Sequence, residues 1–191
     1  VLFVERLGVG VAALRYRLGS TAPHPASTDD AYDALRALVD RADELGVDTA
    51  RLAVGGSSAG GGLAAALAQI AHDRGEVDVA FQLLTYPMLD DRTVTRVDAG
   101  ELDDRHVRVW TAGSNRLGWT TYLGTTPGSP HVPAYAAPAR REDLSGLPPA
   151  WIGVGDLDLF HDEDLDYARR LYKAGVDCEL TEVPGAFHGF D

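Results

Sequence analysis

The chain of 191 residues is 45% hydrophobic and 24% charged, an ordinary globular composition for one domain with a core of its own. Its formal net charge of −12 excludes nucleic acid and anionic membrane surfaces as partners, because both are polyanions that repel an acidic surface. No apolar run approaches the ~20 residues of a membrane-spanning helix, no basic-then-apolar leader opens the chain, and the single cysteine, Cys178, excludes an internal disulfide, so a cytoplasmic protein with a buried thiol is expected.

Val1 to Leu7 reads as the end of a helix without its beginning, in a chain that lacks an initiator Met. Val9 to Tyr16 reads as a strand. Gly8-x-Gly10-x-x-Ala13 resembles a dinucleotide-binding fingerprint but is set aside, since that motif follows a strand and opens a helix, whereas here it follows helix-like sequence and lies in strand-like sequence. Leu18 to Ser27, with Gly19, Pro23 and Pro25, is a loop. Ser27 with Asp30 resembles a capping box and predicts a helix with Ala31, Leu35, Leu38, Ala42 and Leu45 on one face, closed by Gly46.

Arg51 to Leu63 predicts a short buried strand running straight into a small-residue helix. It holds one Gly-x-Ser-x-Gly, Gly56-Ser57-Ser58-Ala59-Gly60; a frame centred on Ser57 fails because position 59 is Ala. Ser58 is therefore the candidate nucleophile, on a strained strand-to-helix turn with its Oγ exposed and glycines two residues either side relieving clashes. The helix aims its positive N-terminus at the serine, which favours a developing oxyanion. Phe81 to Tyr86 is the next strand, stopped by Pro87, and the alternation of strand and helix implies a parallel sheet.

Asp90 to Pro149 breaks this rhythm. It is too long for a simple connection, so about 90–149 is expected to be a lid or insertion. Its amphipathic piece around Val107 to Trp110 and its Leu117, Trp119 and Tyr122 either line an acyl pocket or pack the insertion onto the sheet. Ala150 to Val154 restores the strand pattern and ends at Gly155-Asp156-Leu157-Asp158. A helix follows with Leu165, Ala168 and Leu171 on one face and Gly175 at its end, its Asp162 to Asp164 complementing the helix dipole. The last strand, Cys178 to Val183, runs into Pro184-Gly185-Ala186-Phe187-His188-Gly189-Phe190.

Strand ends in such a sheet place their loops along one edge, so Ser58, a carboxylate after the Ala150 strand and His188 can converge although distant in sequence. Their order, Ser then Asp then His, is that of the nucleophile-elbow hydrolases. His188, between Gly185 and Gly189, reads as an exposed loop histidine rather than a core one. Asp156, Asp158 and Asp162 compete for the role of the acid, with Asp158 preferred.

Taken together, Tyr16-Arg17-Leu18, Asp29-Asp30-Ala31-Tyr32, Gly56-Ser57-Ser58-Ala59-Gly60-Gly61, Tyr86-Pro87, Leu144-Ser145-Gly146-Leu147-Pro148-Pro149-Ala150, Asp158 with Asp162-Glu163, and Pro184-Gly185-x-x-His188-Gly189-Phe190 resemble, in order, the bacterial hormone-sensitive-lipase-like esterases of the α/β-hydrolase superfamily. The resemblance places the acid at Asp158, by its spacing from Asp162-Glu163. It implies an α/β-hydrolase fold, a mostly parallel sheet with helices on both faces, in a single domain over 1–191. Two departures, Ser57 where the family usually has an acid and Gly19-Ser20-Thr21 where it has Ala-Pro-Glu, imply altered loops. A third concerns chemistry. The family's His-Gly-Gly-Gly motif, whose N–H groups supply most of the oxyanion hole, is expected before Val1, which leaves the Ala59 N–H as the donor present. The chain therefore reads as a fragment of a longer protein, incomplete on the N-terminal side of its sheet and a poor catalyst by itself, since one lost donor costs about 10²–10³ in rate.

The activity implied is hydrolysis of short- to medium-chain carboxylic esters through an acyl-enzyme, with Ser58 attacking, His188 moving the proton and Asp158 orienting the imidazole. An amidase or peptidase on the same triad, or a catalytically weak binding module, are the alternatives. Activity is expected to fall as pH drops through roughly 6–7, where imidazoles ordinarily protonate. No cofactor and no metal are expected, because His161-Asp162-Glu163-Asp164 has no second histidine at helical spacing. The resemblance also suggests a homodimer through the edge of the last strand.

Overall fold

Strand and helix alternate to build a four-stranded sheet, parallel throughout, in the order β1 (Ala53–Ser57), β2 (Phe81–Thr85), β3 (Ala150–Gly155) and β4 (Cys178–Val183). This is the arrangement in a computed structural model that describes residues 2–102 and 104–191. The helices are α1 (Leu2–Leu7), α2 (Ala26–Asp40), α3 (Ala42–Leu45), α4 (Ala59–Arg74), α5 (Thr93–Asp98), α6 (Ala112–Leu123) and α7 (His161–Lys173). Ser57 is level with Thr85, Thr85 with Gly153, and Gly155 with Val183, so the loops leaving β1, β3 and β4 open along one edge. Among the described residues no helix is long and apolar enough to cross a membrane.

The main core lies between the sheet and two helices. Val54, Leu84 and Ile152 of the strands pack against Ala64, Ala65 and Ala68 of α4 and Tyr167, Ala168 and Leu171 of α7. A buried hydrogen bond from Gln69 Nε2 to Tyr167 Oη, 3.1 Å, ties the two helices side by side. The alanines of α4 are what let it lie so close. A second cluster, Tyr32, Leu35, Leu52, Ile70, Ala71 and Val77, lays α2 against α4.

Three N-terminal expectations change. Val9–Tyr16 forms no strand: it runs exposed, and among the described residues nothing pairs with it, so its backbone groups have no ladder to join. Val1, expected in the first helix, lies outside the described residues. The capping box at Ser27 is absent, because α2 starts at Ala26 after Pro25 and the Asp30 carboxylate is engaged elsewhere, accepting from the Arg17 N–H at 2.8 Å and pairing with its guanidinium at 2.7 Å. The single helix expected to Leu45 is interrupted at Arg41; Gly46, in the left-handed conformation, closes the second piece.

Val94, Trp119, Leu123, Ala136 and Ala137 of the 90–149 segment form a third cluster with Met88 and Phe160 at the loop edge of the sheet. Trp119 is fully buried there, and Tyr122 Oη meets His24 Nδ1 at 3.2 Å, so these two aromatics pack the insertion. The piece around Val107 to Trp110 is not helical. Cys178 is half-buried, and burial pushes its thiol up to about 11, which keeps it protonated and unreactive.

The glycine run after Ser58 divides by contact. A Cβ on Gly62 would meet the Met88 carbonyl oxygen at 2.1 Å, whereas one on Gly60 would meet nothing within 4 Å. Gly62→Ala is therefore expected to lower stability by about 1–3 kcal/mol in urea unfolding, while Gly60→Ala, which removes only a helical glycine's entropy, should cost nothing and can gain up to ~1 kcal/mol. Equal losses in both variants would contradict the packing described.

Candidate active site

Ser58 sits between β1 and α4 with φ 57° and ψ −125°, far from the helical and extended regions open to an ordinary L-residue. Its own backbone holds it there. The Ser58 N–H donates to Thr85 O at 2.9 Å, and Ser58 O accepts from Gly62 N and Met88 N, each at 3.0 Å. The turn is so tight that a Cβ on Gly56 would lie 2.4 Å from the backbone of Gly60, and one on Gly61 2.9 Å from Pro87. Glycine is thus required at 56, 61 and 62. Contrary to the expectation for the motif, position 60 contributes its backbone rather than the absence of a side chain. Ala59 is the first residue of α4 and exposed, so its N–H belongs to the four at a helix N-terminus that lack an intrahelical acceptor.

His188 reaches this turn from the loop after β4. Its Nε2 lies 2.9 Å from Ser58 Oγ, and its Nδ1 lies 2.8 Å from Asp158 Oδ2. The carboxylate can only accept at Nδ1, so Nδ1 carries the proton and Nε2 is left to accept from the serine hydroxyl. His188 and Asp158 are both buried, at 5% exposure; the histidine is on a loop as expected but is not exposed, because Tyr86, Phe160 and Trp110 enclose its ring. Asp158 is fixed in turn by the Phe160 N–H, 2.9 Å from its Oδ1.

The other two carboxylates considered for the acid do different work. Asp156 Oδ1 accepts from the Gly185 N–H at 2.7 Å and so anchors the base of the histidine loop. Asp162 is on the surface and pairs with Arg96 at 3.0 Å. Ser58, Asp158 and His188 are therefore brought together, with Ala59 beside them.

Behind the site, two of the three acids expected to complement the dipole of α7, Glu163 and Asp164, are buried instead of facing solvent. Glu163 is buried, its Oε1 accepting from Leu89 N at 2.7 Å and Asp90 N at 3.0 Å, and its Oε2 meeting the Thr93 hydroxyl. Burial pushes its carboxyl up to about 8. Asp164 has no exposure and no hydrogen-bond partner on either oxygen, and burial with Glu163 and Asp158 nearby raises it well above the ordinary range. Burial thus favours the neutral form of both acids, which spares the site buried charge. Neither was identified from sequence, because an acid-rich helix start is ordinarily solvated. Among the described residues no group of three His, Cys, Asp or Glu side chains could hold a metal ion.

Residues 2–191 match the family described as alpha/beta hydrolase fold. Carboxylesterase NlhH of Mycobacterium tuberculosis is 40% identical over 187 residues, covering 94% of this chain and 56% of that protein. Ethyl acetate hydrolase of Pseudomonas putida is 35% identical over 188 residues, covering 96% of this chain and 56% of that protein. Among solved structures, a bacterial heroin esterase superposes with a TM-score of 0.90 at 45% identity, covering 96% of this chain and 58% of that one. The chain spans little more than half the length of the curated relatives it matches.

Because the folded pKa of Glu163 is raised, its stabilising effect is complete below about pH 4.5 and is lost as pH rises through about 8. Glu163→Gln keeps an oxygen to accept from Leu89 N and Asp90 N, and the Thr93 hydroxyl, which donates to Glu163 Oε2, turns to accept from the new amide. The variant should unfold with a flatter pH dependence between those limits, gaining roughly 2–4 kcal/mol over the parent at the alkaline end. Parallel stability curves for the two proteins would show that Glu163 is ionised in the fold.

Proposed function

Because the chain belongs to the alpha/beta hydrolase fold family, we propose that it carries the serine, histidine and acid of a carboxylic-ester hydrolase working through an acyl-enzyme. The observation that carries this reading is the continuous hydrogen-bonded line Asp158–His188–Ser58. Ser58 Oγ attacks the ester carbonyl as His188 Nε2 takes its proton. The imidazolium so formed is stabilised by Asp158 and returns the proton to the departing alcohol. Water then repeats the sequence on the acyl-enzyme. The Ala59 N–H, at the positive end of α4, supplies one hydrogen bond to the oxyanion.

The names carried by the relatives, a carboxylesterase and an ethyl acetate hydrolase, support small carboxylic esters as the substrate class. Residues 1–191 act in this reading as one catalytic domain, with about 90–149 as an insertion at the mouth of the site. The outer edge of β4, with no further strand beside it among the described residues, supports pairing with a second copy, which sedimentation would reveal as a dimer.

The test is hydrolysis of a short-chain nitrophenyl ester by the natural polypeptide and its variants. Ser58→Ala and His188→Ala should each lower kcat by about 10⁴ or more, and Asp158→Asn by about 10⁴. The rate should fall on acidification, because a protonated His188 cannot accept the serine proton. Turnover that survives Ser58→Ala would overturn the reading. Turnover of the matching anilide as fast as the ester would move it to an amidase.

A further inference from the structure

Tyr86, the first residue after β2, has φ 36°, a left-handed value that a bulky side chain adopts only where its surroundings enforce it. Its N–H donates to Gly153 O on β3 at 2.6 Å, pinning the turn to the sheet. The side chain is thereby laid against the histidine loop. Its ring meets the His188 imidazole edge-on, with centroids 4.8 Å apart and planes at 62°, and meets Phe190 at 5.4 Å and 69°. Its hydroxyl donates to the Asp191 carboxylate.

These contacts matter because the loop is fastened unevenly about His188. On the upstream side Gly185 N donates to Asp156 Oδ1 at 2.7 Å, Ala186 N to Val183 O at 3.2 Å, and Leu157 N to Ala186 O at 3.0 Å. Downstream, Gly189 turns left-handed at φ 77°, and the Tyr86–Asp191 bond is the tie back to the sheet. Meanwhile the imidazole must serve two hydrogen bonds at once. A small swing about its side-chain torsions lengthens both the Asp158 and the Ser58 contacts. Rings close off that swing: Tyr86 as above, Phe160 at 5.2 Å and 87°, and Trp110 at 6.1 Å and 35°.

We propose that Tyr86 is a positioning residue for His188, its ring a wall beside the imidazole and its hydroxyl a tether for the loop that carries it. It touches no substrate. It keeps Nε2 aimed at Ser58 before proton transfer and at the leaving oxygen after it. This rests on the hydrolase reading of Ser58, His188 and Asp158.

The experiment compares the natural polypeptide with Tyr86→Phe, which keeps the wall and loses the tether, and Tyr86→Leu, which loses both. Tyr86→Phe is expected to lower kcat about 3–10-fold and Tyr86→Leu about 30–100-fold, with KM unchanged within about 2-fold, because a misplaced general base slows chemistry without weakening binding. The Nδ1 proton of His188, given to a buried carboxylate, should show a far-downfield proton resonance that persists in the parent and in Tyr86→Phe and is lost in Tyr86→Leu. An unchanged kcat in Tyr86→Leu, or a loss of kcat in that variant with its resonance intact, overturns the proposal. If Tyr86→Leu fails to fold, Tyr86→Phe decides, and a parental kcat in it overturns the tether. If the parent itself turns over no ester, the hydrolase reading fails, while the resonance in parent and variants still decides whether Tyr86 positions the imidazole.

Discussion

The left-handed turn at Ser58 is the constraint around which the site is assembled. A residue with a side chain is kept at φ 57° because its N–H and C=O are both spoken for, by Thr85 on one side and by Gly62 and Met88 on the other. Those bonds form only if α4 starts hard against β1 and the exit of β2. That approach in turn needs Gly56, Gly61 and Gly62, where any Cβ would strike backbone or Pro87. The strain at one residue is thus offset by a crossing of three elements, and it leaves Oγ presented to His188 at 2.9 Å.

The acidic groups near this turn show how environment assigns role. Asp158 has a hydrogen-bond donor for each oxygen, Phe160 N and His188 Nδ1, and so suits a carboxylate. Asp156, two residues earlier, is spent on the loop anchor at Gly185. Glu163 and Asp164, a few residues later on α7, are buried where a charge would be unsolvated and beside other acids, so both carboxyls are raised above the ordinary range. Glu163 then works as a clasp between α7, which follows the Asp158 loop, and the Leu89–Asp90 backbone leaving β2. The same two elements therefore position Ser58 from one side and Asp158 from the other.

The segment from 90 to 149 contributes along the same edge. Its buried Trp119 shares a cluster with Phe160, the residue that both caps Asp158 and flanks the imidazole. Trp110 lies over His188 and is itself held by a 3.3 Å bond from its indole N–H to Asn115 Oδ1. The segment thus completes the aromatic surround of the histidine as well as packing at the loop edge of the sheet. Of the two readings that sequence left open, packing is what Trp119 and Tyr122 do.

What the amino-acid order determined by itself was whatever depends on short-range rules. A Gly-x-Ser-x-Gly between an apolar strand and an alanine-rich helix can make only one kind of turn, and alternating strands and helices can make only a parallel sheet, so Ser58, His188 and three of the strand positions were legible with their boundaries within a residue or so. The tertiary structure decided everything that depends on a partner. Val9–Tyr16 has strand-like sequence but no neighbour to bond with. Ser27 and Asp30 have capping residues' chemistry, yet Arg17 takes the carboxylate. Glu163 and Asp164 look like solvated acids until burial removes their water. Tyr86 shows only as a tyrosine before a proline, since neither a positive φ nor a ring contact 102 positions downstream leaves any mark in the local sequence. Propensity and spacing are properties of a segment. Hydrogen-bond competition, desolvation and ring packing are properties of pairs, and they exist only once the chain has folded.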